Sequence, residues 1–182
     1  SLTNVNFIAG DYAERGPNGG LLGDGATKHL NTGCVANAQL PDNGHFSFYL
    51  REEVAAAGNR AFLGALAGTD QYWLGAVTPA SSVLVRYGQT LQAGTGQAMS
   101  RGYYCGSRTA ANALAIHRDG LRLGSDANTA THAKPALALH LWAFNNTGAA
   151  AAHLPARGSF YSLGHGLGGT AAQGLGGQQA RG

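Results

Sequence analysis

The amino-acid sequence predicts an all-β protein that folds as a sandwich of two antiparallel sheets. Runs of alternating apolar and polar residues recur roughly every 8 to 12 residues, and turns that contain glycine separate them, as in sandwiches and barrels. Glycine accounts for 29 of the 182 residues, and charged residues make up 12% of the chain. That charged fraction is about half of what globular domains usually carry. The composition therefore favours a turn-rich β protein over a solvated helical bundle.

The clearest strand of the first half is His45–Glu52, which follows a Leu-Pro-Asp-Asn-Gly turn. Successive side chains of a strand point to opposite faces, so Phe46, Phe48 and Leu50 would share one face and the polar residues between them the other. We therefore expect a half-buried strand at this position. Further strands are predicted at Thr3–Ala9, Gly25–Thr32, Ser82–Tyr87 and Met99–Arg108, and a loop is predicted at Arg15–Asp24.

Two hairpins are predicted in the middle of the chain. The first pairs Arg60–Ala67 with Gln71–Val77 around a Gly-Thr-Asp turn. The second pairs Ala113–His117 with Leu121–Leu123, and its Asp-Gly turn is a strong signal because both central positions of a type I′ turn need a positive φ. The one segment that could be helical, Glu52–Ala57, is short.

The stretch Lys134–Gly164 contains two apolar runs, Ala136–Phe144 and Ser159–Leu163, separated by an Asn-Asn-Thr-Gly turn and a loop of small residues. The first run alternates with a period of two and carries large side chains on both faces, which is typical of a strand inside a sandwich. We expect the two runs to form a buried strand pair. Leu137, Leu139 and Leu141 would lie on one face of the first run, and His140, Trp142 and Phe144 on the other.

The charge pattern argues against two classes of partner. The ten arginines and two lysines are scattered, and the formal net charge is +3. A nucleic-acid-binding surface would need clustered basic residues, so no nucleic-acid partner is expected. No apolar stretch reaches the roughly 18 residues that span a membrane, so no membrane insertion is expected. Cys34 and Cys105 could form a disulfide or be two buried thiols.

No catalytic residue, metal site or cofactor is predicted. Glu52 and Glu53 are adjacent, and neighbouring strand residues point to opposite faces, so they cannot be the facing carboxylates of a retaining glycosidase. We expect them in a solvated turn. The seven histidines show no spacing typical of metal ligands, and the aspartates are isolated along the chain, although a calcium site built from separate loops stays open.

Aromatic residues are the remaining candidates for ligand binding. The pairs Tyr72-Trp73 and Tyr103-Tyr104, together with Trp142, could supply rings that stack on sugars, with arginine and asparagine side chains as polar partners. The alternative is that these rings pack in the core or under loops. The predicted ligand-binding residues are Tyr72, Trp73, Arg101, Tyr103, Arg108, Trp142 and Asn145.

Several segments in a fixed order resemble one known family. They are GDGATKHLN at Gly23–Asn31, HFSFYLR at His45–Arg51, the Ser107-Arg108 pair, the RDGL turn at Arg118–Leu121, and Leu139–Leu167 with its LWAFNNTG and RGSFYSLGHGL motifs. Together they resemble the concanavalin A-like, laminin-G-like jelly-roll domains of tailed-phage and prophage structural proteins. The resemblance implies a jelly-roll domain over residues 1–167. Relatives usually end in an amphipathic helix, and the glycine-rich tail over 168–182 departs from that pattern. We expect the tail to dock on a neighbouring chain or along its own domain, since a glycine-rich terminus is otherwise poorly ordered.

The resemblance also implies a function. It suggests a non-enzymatic component of a phage virion, such as a tail, fibre, capsid-surface or decoration protein, that acts in assembly and in attachment to the host surface. Its partners would be other virion subunits, further copies of the chain in a homo-oligomer, and a host surface glycan. One alternative is a carbohydrate-binding module that recognises a surface polysaccharide. Another is a divergent polysaccharide hydrolase or lyase, for which no facing carboxylate pair is visible.

Overall fold

A computed structural model describes residues 1–16, 19–54, 58–77, 82–87, 91–94, 99–127 and 133–168. These residues form two antiparallel β-sheets that pack face to face, which confirms the predicted all-β sandwich. The 168–182 tail was predicted to dock on a neighbour, and residues 169–182 lie outside the described part of the chain.

The first sheet, sheet A, has the strand order β1-β4-β13-β6-β7-β8-β9, and β14 and β15 extend it beside β6. Its strands are β1 (Thr3–Val5), β4 (His29–Val35), β6 (Arg60–Ala67), β7 (Asp70–Val77), β8 (Ser82–Tyr87), β9 (Leu91–Gly94), β13 (Ala138–Leu141), β14 (Phe144–Asn146) and β15 (Ala149–Ala151).

The second sheet, sheet B, has the order β12-β11-β10-β5-β16-β3-β2. Its strands are β2 (Tyr12–Ala13), β3 (Gly20–Leu22), β5 (Gly44–Leu50), β10 (Gly102–Ala110), β11 (Ala113–Arg118), β12 (Leu121–Asp126) and β16 (Arg157–His165). A 3-10 helix at Ala9–Asp11 and one helical turn, α1 (Ala36–Gln39), complete the described elements.

Strand β5 lies at the centre of sheet B and confirms the strand predicted at His45–Glu52. Phe46, Phe48 and Leu50 point into the core between the sheets and are fully buried. The residues between them point to the outer face of sheet B, and they are buried as well. The strand is thus covered on both faces, whereas its sequence predicted one solvated face.

Both predicted hairpins are confirmed. Strands β6 and β7 pair antiparallel along their whole length, with Ala67 opposite Asp70 at the turn. Strands β11 and β12 pair around Asp119 and Gly120, whose φ angles of 50° and 83° are those of a type I′ turn. Aspartate and glycine tolerate this left-handed conformation better than other residues.

The predicted strand Ala136–Phe144 is interrupted in the structure, so the prediction of one continuous strand is wrong. Strand β13 ends at Leu141, and Trp142 has a φ of 61°. This left-handed residue reverses the alternation, so Trp142 packs in the main core with Leu139 and Leu141 instead of on the opposite face. Three hydrogen bonds hold it: the Trp142 N–H donates to Phe62 O at 2.9 Å, its Nε1–H to Ala156 O at 3.0 Å, and Leu154 N–H to its carbonyl at 2.8 Å.

The two apolar runs of the closing stretch do not pair with each other. Strand β13 belongs to sheet A, where it lies between β4 and β6, and β16 belongs to sheet B, where it lies between β5 and β3. The segment between them contains β14 and β15 and leads from sheet A to sheet B. The predicted burial also fails for the second run, because Phe160 and Tyr161 are 39% and 36% exposed and only Leu163 of its large side chains packs against the main core.

Smaller differences concern loops and cysteines. Strand β3 lies inside the predicted loop Arg15–Asp24, and α1 was not predicted. The predicted helix Glu52–Ala57 is irregular over residues 52–54, and residues 55–57 lie outside the described part. Cys34 and Cys105 are free thiols, the former in sheet A and the latter in sheet B. The disulfide alternative is therefore wrong, and of the two thiols Cys105 is buried whereas Cys34 is partly exposed.

A cluster of three histidines lies beside sheet A. The rings of His29 and His140 stack with their centroids 4.6 Å apart, and the ring of His153 lies 5.9 Å from that of His29. Burial, followed by the two neighbouring rings, lowers the pKa of His140 to about 4, and burial lowers the pKa of His153 too. His140 and His153 are therefore neutral at pH 7, and acid must place charge on rings that are packed together.

We predict that this cluster makes the fold sensitive to acid. The folded-state pKa of His140 is below its unfolded value of about 6.5, so its contribution is fully present above pH 6.5 and is lost as the pH falls toward 4. From His140 alone the free energy of unfolding should drop by about 3 kcal/mol over that window. Urea denaturation at several pH values should show a flatter profile for His140→Gln, whereas the exposed-site control His165→Gln should follow the wild type. Identical profiles for His140→Gln and wild type would contradict the prediction.

A second prediction concerns Gly158 in β16. A Cβ at this position would overlap the buried rings of Phe48 and Trp142. Overpacking of a filled core costs about 1–3 kcal/mol, so Gly158→Ala should lower the free energy of unfolding by that amount. Gly10→Ala is the matched control, because no described atom lies within 4 Å of its new Cβ. Chemical denaturation of both variants measures the difference, and equal stability would show that the rings move aside without cost.

Candidate functional site

The outer face of sheet B, turned away from the main core, carries the candidate site. Tyr49, Tyr103 and Cys105 lie on it as a small buried cluster of their own, packed against Leu167. Two open grooves border this face. One, the hairpin groove, lies over β10, β11 and β12 and has a volume of about 770 Å³. The other, the arginine groove, lies where β5 ends and β10 begins, with a volume of about 590 Å³.

The pairing of β5 assembles the arginine groove from distant parts of the chain. Strand β5 pairs with β10 on one side and β16 on the other, and Leu50 lies opposite a glycine in both pairings. Arg51, just after β5, is therefore close to Arg101, just before β10, and to Ser159 in β16. The β2–β3 segment forms the remaining wall. The lining residues are Tyr12, Ala13, Glu14, Arg15, Gly16, Gly19, Gly20, Arg51, Arg101 and Ser159.

Arg51 is held in place by two contacts. Its Nη2 donates a hydrogen bond to the carbonyl oxygen of Gly16 at 2.7 Å. Its guanidinium also lies 5.4 Å from the ring centroid of Tyr49, a cation–π contact. The Nε of Arg51 is buried and has no hydrogen-bond partner among the described residues. The guanidinium is thus ordered while part of its hydrogen-bonding capacity stays unused.

The arginine groove is cationic. Arg15, Arg51 and Arg101 line it together with one acidic residue, Glu14. Within the described part of the chain, none of the three arginines forms an ion pair with a carboxylate. Three guanidinium groups against one carboxylate leave an excess positive charge in the groove, and no ion pair among the described residues neutralises it.

Tyr12 supplies an aromatic ring to the same groove. Its side chain is 61% exposed, which is more than that of Phe160 or Tyr161. Tyr12 was not predicted as a ligand-binding residue, because it belongs to neither an aromatic pair nor an apolar run. The available signal was a single aromatic residue in the polar stretch Asp-Tyr-Ala-Glu-Arg, where no alternating pattern provides a buried face.

The hairpin groove is lined by both polar and apolar side chains. His117 is buried in its floor, and burial, with nearby Arg122, lowers the pKa of that ring. Leu121 projects from the hairpin and is largely exposed. At the other end the Ser107 hydroxyl donates to Leu167 O at 2.8 Å and accepts from Leu167 N–H at 2.7 Å. This groove offers few charged groups, and its lining residues include no phenylalanine, tyrosine or tryptophan.

A polar network on the outer face ties β16 to β5. His45 Nδ1 lies 2.6 Å from the carbonyl oxygen of His165, so it donates to that oxygen, and Nε2 then accepts from the Ser162 hydroxyl at 2.9 Å. The Ser47 and Ser162 hydroxyl oxygens are 2.6 Å apart. Burial lowers the pKa of His45, while its bond to the His165 carbonyl opposes this. The network holds β16, and with it Ser159, in a fixed position beside β5.

Most of the predicted ligand-binding residues are buried. Trp73 packs in a separate cluster on sheet A, with its ring centroid 5.6 Å from that of Phe144. Asn145 caps a turn, because its amide donates to Ala138 O and its oxygen accepts from Gly148 N–H. The residues with no more than 6% exposure are Tyr72, Trp73, Tyr103, Trp142 and Asn145. Their burial counts against a role in stacking on sugars, because both faces of these strands are covered.

The two predicted arginines have different surroundings. Arg101 is exposed and lines the arginine groove. Arg108 is half-buried and donates to Asp42 O at 2.9 Å and to Ala111 O at 3.3 Å, so it braces two loops. Glu53 is exposed, as predicted for a solvated turn, whereas Glu52 is half-buried and its carboxylate accepts a hydrogen bond from Arg157 N–H at 2.6 Å. Of the seven predicted residues, Arg101 is the one that lines either of the two grooves described above.

The described residues contain no group of three or more histidine, cysteine, aspartate or glutamate side chains that could hold a metal ion. Likewise, no helix among them is both long enough and apolar enough to cross a membrane.

Comparisons with known proteins show the fold. No protein-family model and no curated protein matches the chain. Domain 4 of AbnA, an extracellular GH43 arabinanase from Geobacillus stearothermophilus solved with arabinotriose, is 13% identical, with 96% of this chain and 87% of that one covered and a TM-score of 0.62. A Trypanosoma rangeli sialidase, solved with a difluorinated keto-deoxy-nononic acid, is 16% identical, with 88% and 27% covered and a TM-score of 0.59.

A phage protein also shares the fold. Tailspike protein 2 of an Escherichia coli O157:H7 bacteriophage is 13% identical, with 82% of this chain and 23% of that one covered and a TM-score of 0.57. The chain thus spans about a quarter of the length of the sialidase and tailspike chains. At these identities the likeness shows a β-sandwich fold and does not confirm the concanavalin A-like phage family.

The comparisons overturn one prediction. The chain was expected to be non-enzymatic, and this expectation is wrong, because the similar structures are parts of an arabinanase and of sialidases, and another is the enzymatically active domain of a phage tailspike. The sequence lacks several familiar catalytic motifs, and their absence excluded particular mechanisms. It could not exclude enzymes that contain a β-sandwich of this kind.

Proposed function

We propose that the chain is a glycan-binding β-sandwich domain that binds its ligand in the arginine groove. The observation that carries the proposal is the combination found there: the exposed ring of Tyr12, the ordered guanidinium of Arg51 and the exposed Ser159 together line one open groove. Ligand sites typically combine an apolar or aromatic surface with a few well-placed polar groups that set orientation. A sugar ring presents both an apolar face and hydroxyl groups, and it matches that combination.

The similar structures support this proposal through what was bound in them. The arabinanase domain was solved with an arabinotriose, and the sialidase with a sialic-acid-like sugar acid. The arabinanase domain supports the idea most directly, because the two chains cover each other almost completely. Fold likeness alone does not transfer a binding site, so the groove residues of this chain bear the argument.

We further propose that the domain belongs to a phage virion and binds a polysaccharide of the host surface. The shared fold of a phage tailspike supports this placement. Association with other virion subunits and with further copies of the chain is part of the same proposal. Size-exclusion chromatography with light scattering tests the oligomer, and a strictly monomeric chain at high concentration would contradict that part.

The test of glycan binding is Tyr12→Ala. We expect the wild type to bind members of a glycan array, and we expect the variant to lose about tenfold in affinity for the same glycans because an exposed ring supplies contact area at low entropic cost. Isothermal titration calorimetry with the array hits measures the change. Tyr161→Ala is the matched control, since Tyr161 is also exposed but lines neither groove.

Two results would contradict the proposed site. Unchanged affinity of Tyr12→Ala would remove the arginine groove from the proposal, and a loss caused by Leu121→Ala would then favour the hairpin groove. Absence of binding across the whole array would contradict glycan binding by this domain.

A further inference from the structure

We infer that the arginine groove selects an acidic sugar, one that carries a carboxylate on its ring, over a neutral sugar of the same shape. This inference rests on the proposed glycan-binding function and names the ligand class of the same site. Of the seven ligand-binding residues predicted from the sequence, this inference uses Arg101 alone.

The first support is the uncompensated charge of the groove. Arg15, Arg51 and Arg101 line it, Glu14 is the one acidic lining residue, and no described carboxylate pairs with any of the three arginines. Most arginines in a folded protein can share their charge with a nearby acid. Three that converge on one open space without doing so create a positive potential that a ligand anion would relieve.

The second support is the preorganisation of Arg51. Its guanidinium is fixed on one side by Gly16 O and on its face by the ring of Tyr49. A fixed guanidinium offers parallel N–H donors that match the two oxygens of a carboxylate, and little side-chain entropy is left to lose on binding. A neutral hydroxyl would use one donor and would leave the charge uncompensated.

The third support is the position of Arg101 and Tyr12 around this fixed group. Arg101 is brought next to Arg51 by the β5–β10 register, in which Leu50 lies opposite Gly102. Tyr12 lines the same groove with its ring exposed. A pyranose lying on the Tyr12 ring would thus be in the space that the arginines also line. The groove volume of about 590 Å³ is within the range of small-ligand sites.

The experiment compares pairs of saccharides that differ in the carboxylate. Titration calorimetry of the full chain would use 3′-sialyllactose against its carboxyl methyl ester and oligogalacturonate against the matching galactose oligomer, at about 20, 150 and 500 mM salt. We expect at least one acidic member to bind about tenfold or more tightly than its neutral partner, since charge-assisted hydrogen bonds are roughly twice as strong as neutral ones. That advantage should shrink as salt rises, because the groove is open to solvent.

Charge-removing variants identify the groove. Arg51→Gln and Arg101→Gln should each bring the affinity for the acidic saccharide toward that for the neutral one. Arg122→Gln, which removes a positive charge from the hairpin groove instead, should leave the preference unchanged. Arg51 also contacts Gly16, so a melting curve must accompany its variant, and the exposed Arg101 supplies a second variant that does not depend on that contact.

The outcomes separate this inference from the proposed function. Equal affinity for acidic and neutral saccharides would overturn the acidic preference and leave glycan binding standing. A preference that survives in both Arg51→Gln and Arg101→Gln would overturn the assignment to this groove. Tighter binding of a sulfated saccharide than of the carboxylated one would overturn the carboxylate in favour of a sulfate ester. No binding of any saccharide would overturn both proposals together.

Discussion

The structure depends on the central position of β5, which hydrogen-bonds to β10 on one side and to β16 on the other. Its inner side chains fill the core, and its outer ones form the polar network and the aromatic cluster on the outer face. Leu50 lies opposite Gly102 of β10 and opposite Gly158 of β16. The residues next to these three positions, at the end of β5 and at the starts of β10 and β16, are therefore close together. The arginine groove is therefore a product of strand register, and its residues need no proximity in the chain.

This dependence explains what could be predicted from the sequence. Local patterns predicted β5 and both hairpins, since alternation and turn chemistry involve only neighbouring residues. They did not reveal the left-handed Trp142, which breaks β13 from β14 and turns its indole into the core. A period of two continues through that position in the sequence, so the break is set by tertiary hydrogen bonds to Phe62 and Leu154 rather than by local preference.

The same reasoning accounts for the candidate site. Large aromatic residues on both faces of a strand indicate that both faces are covered, but the sequence does not tell whether a loop of the same chain or a ligand covers them. Here the chain itself covers Tyr72, Trp73 and Trp142. Arg101 could be named from the sequence because it is polar and near aromatics, whereas its neighbour Arg51 could be recognised only once the pairing of β5 was known.

Arg51 has a double role that constrains how this domain can change. The side chain that would meet the ligand is also the one that ties the loop before β3 to the sandwich, through the carbonyl of Gly16. The proposed ligand preference and the order of this loop thus both depend on the guanidinium of Arg51. A descendant that acquired a different ligand would either keep an arginine there and alter the opposite wall, or replace it and find another anchor for the loop. Diversification of this surface is therefore easiest at Tyr12 and Arg15, on the wall that does not carry the anchor.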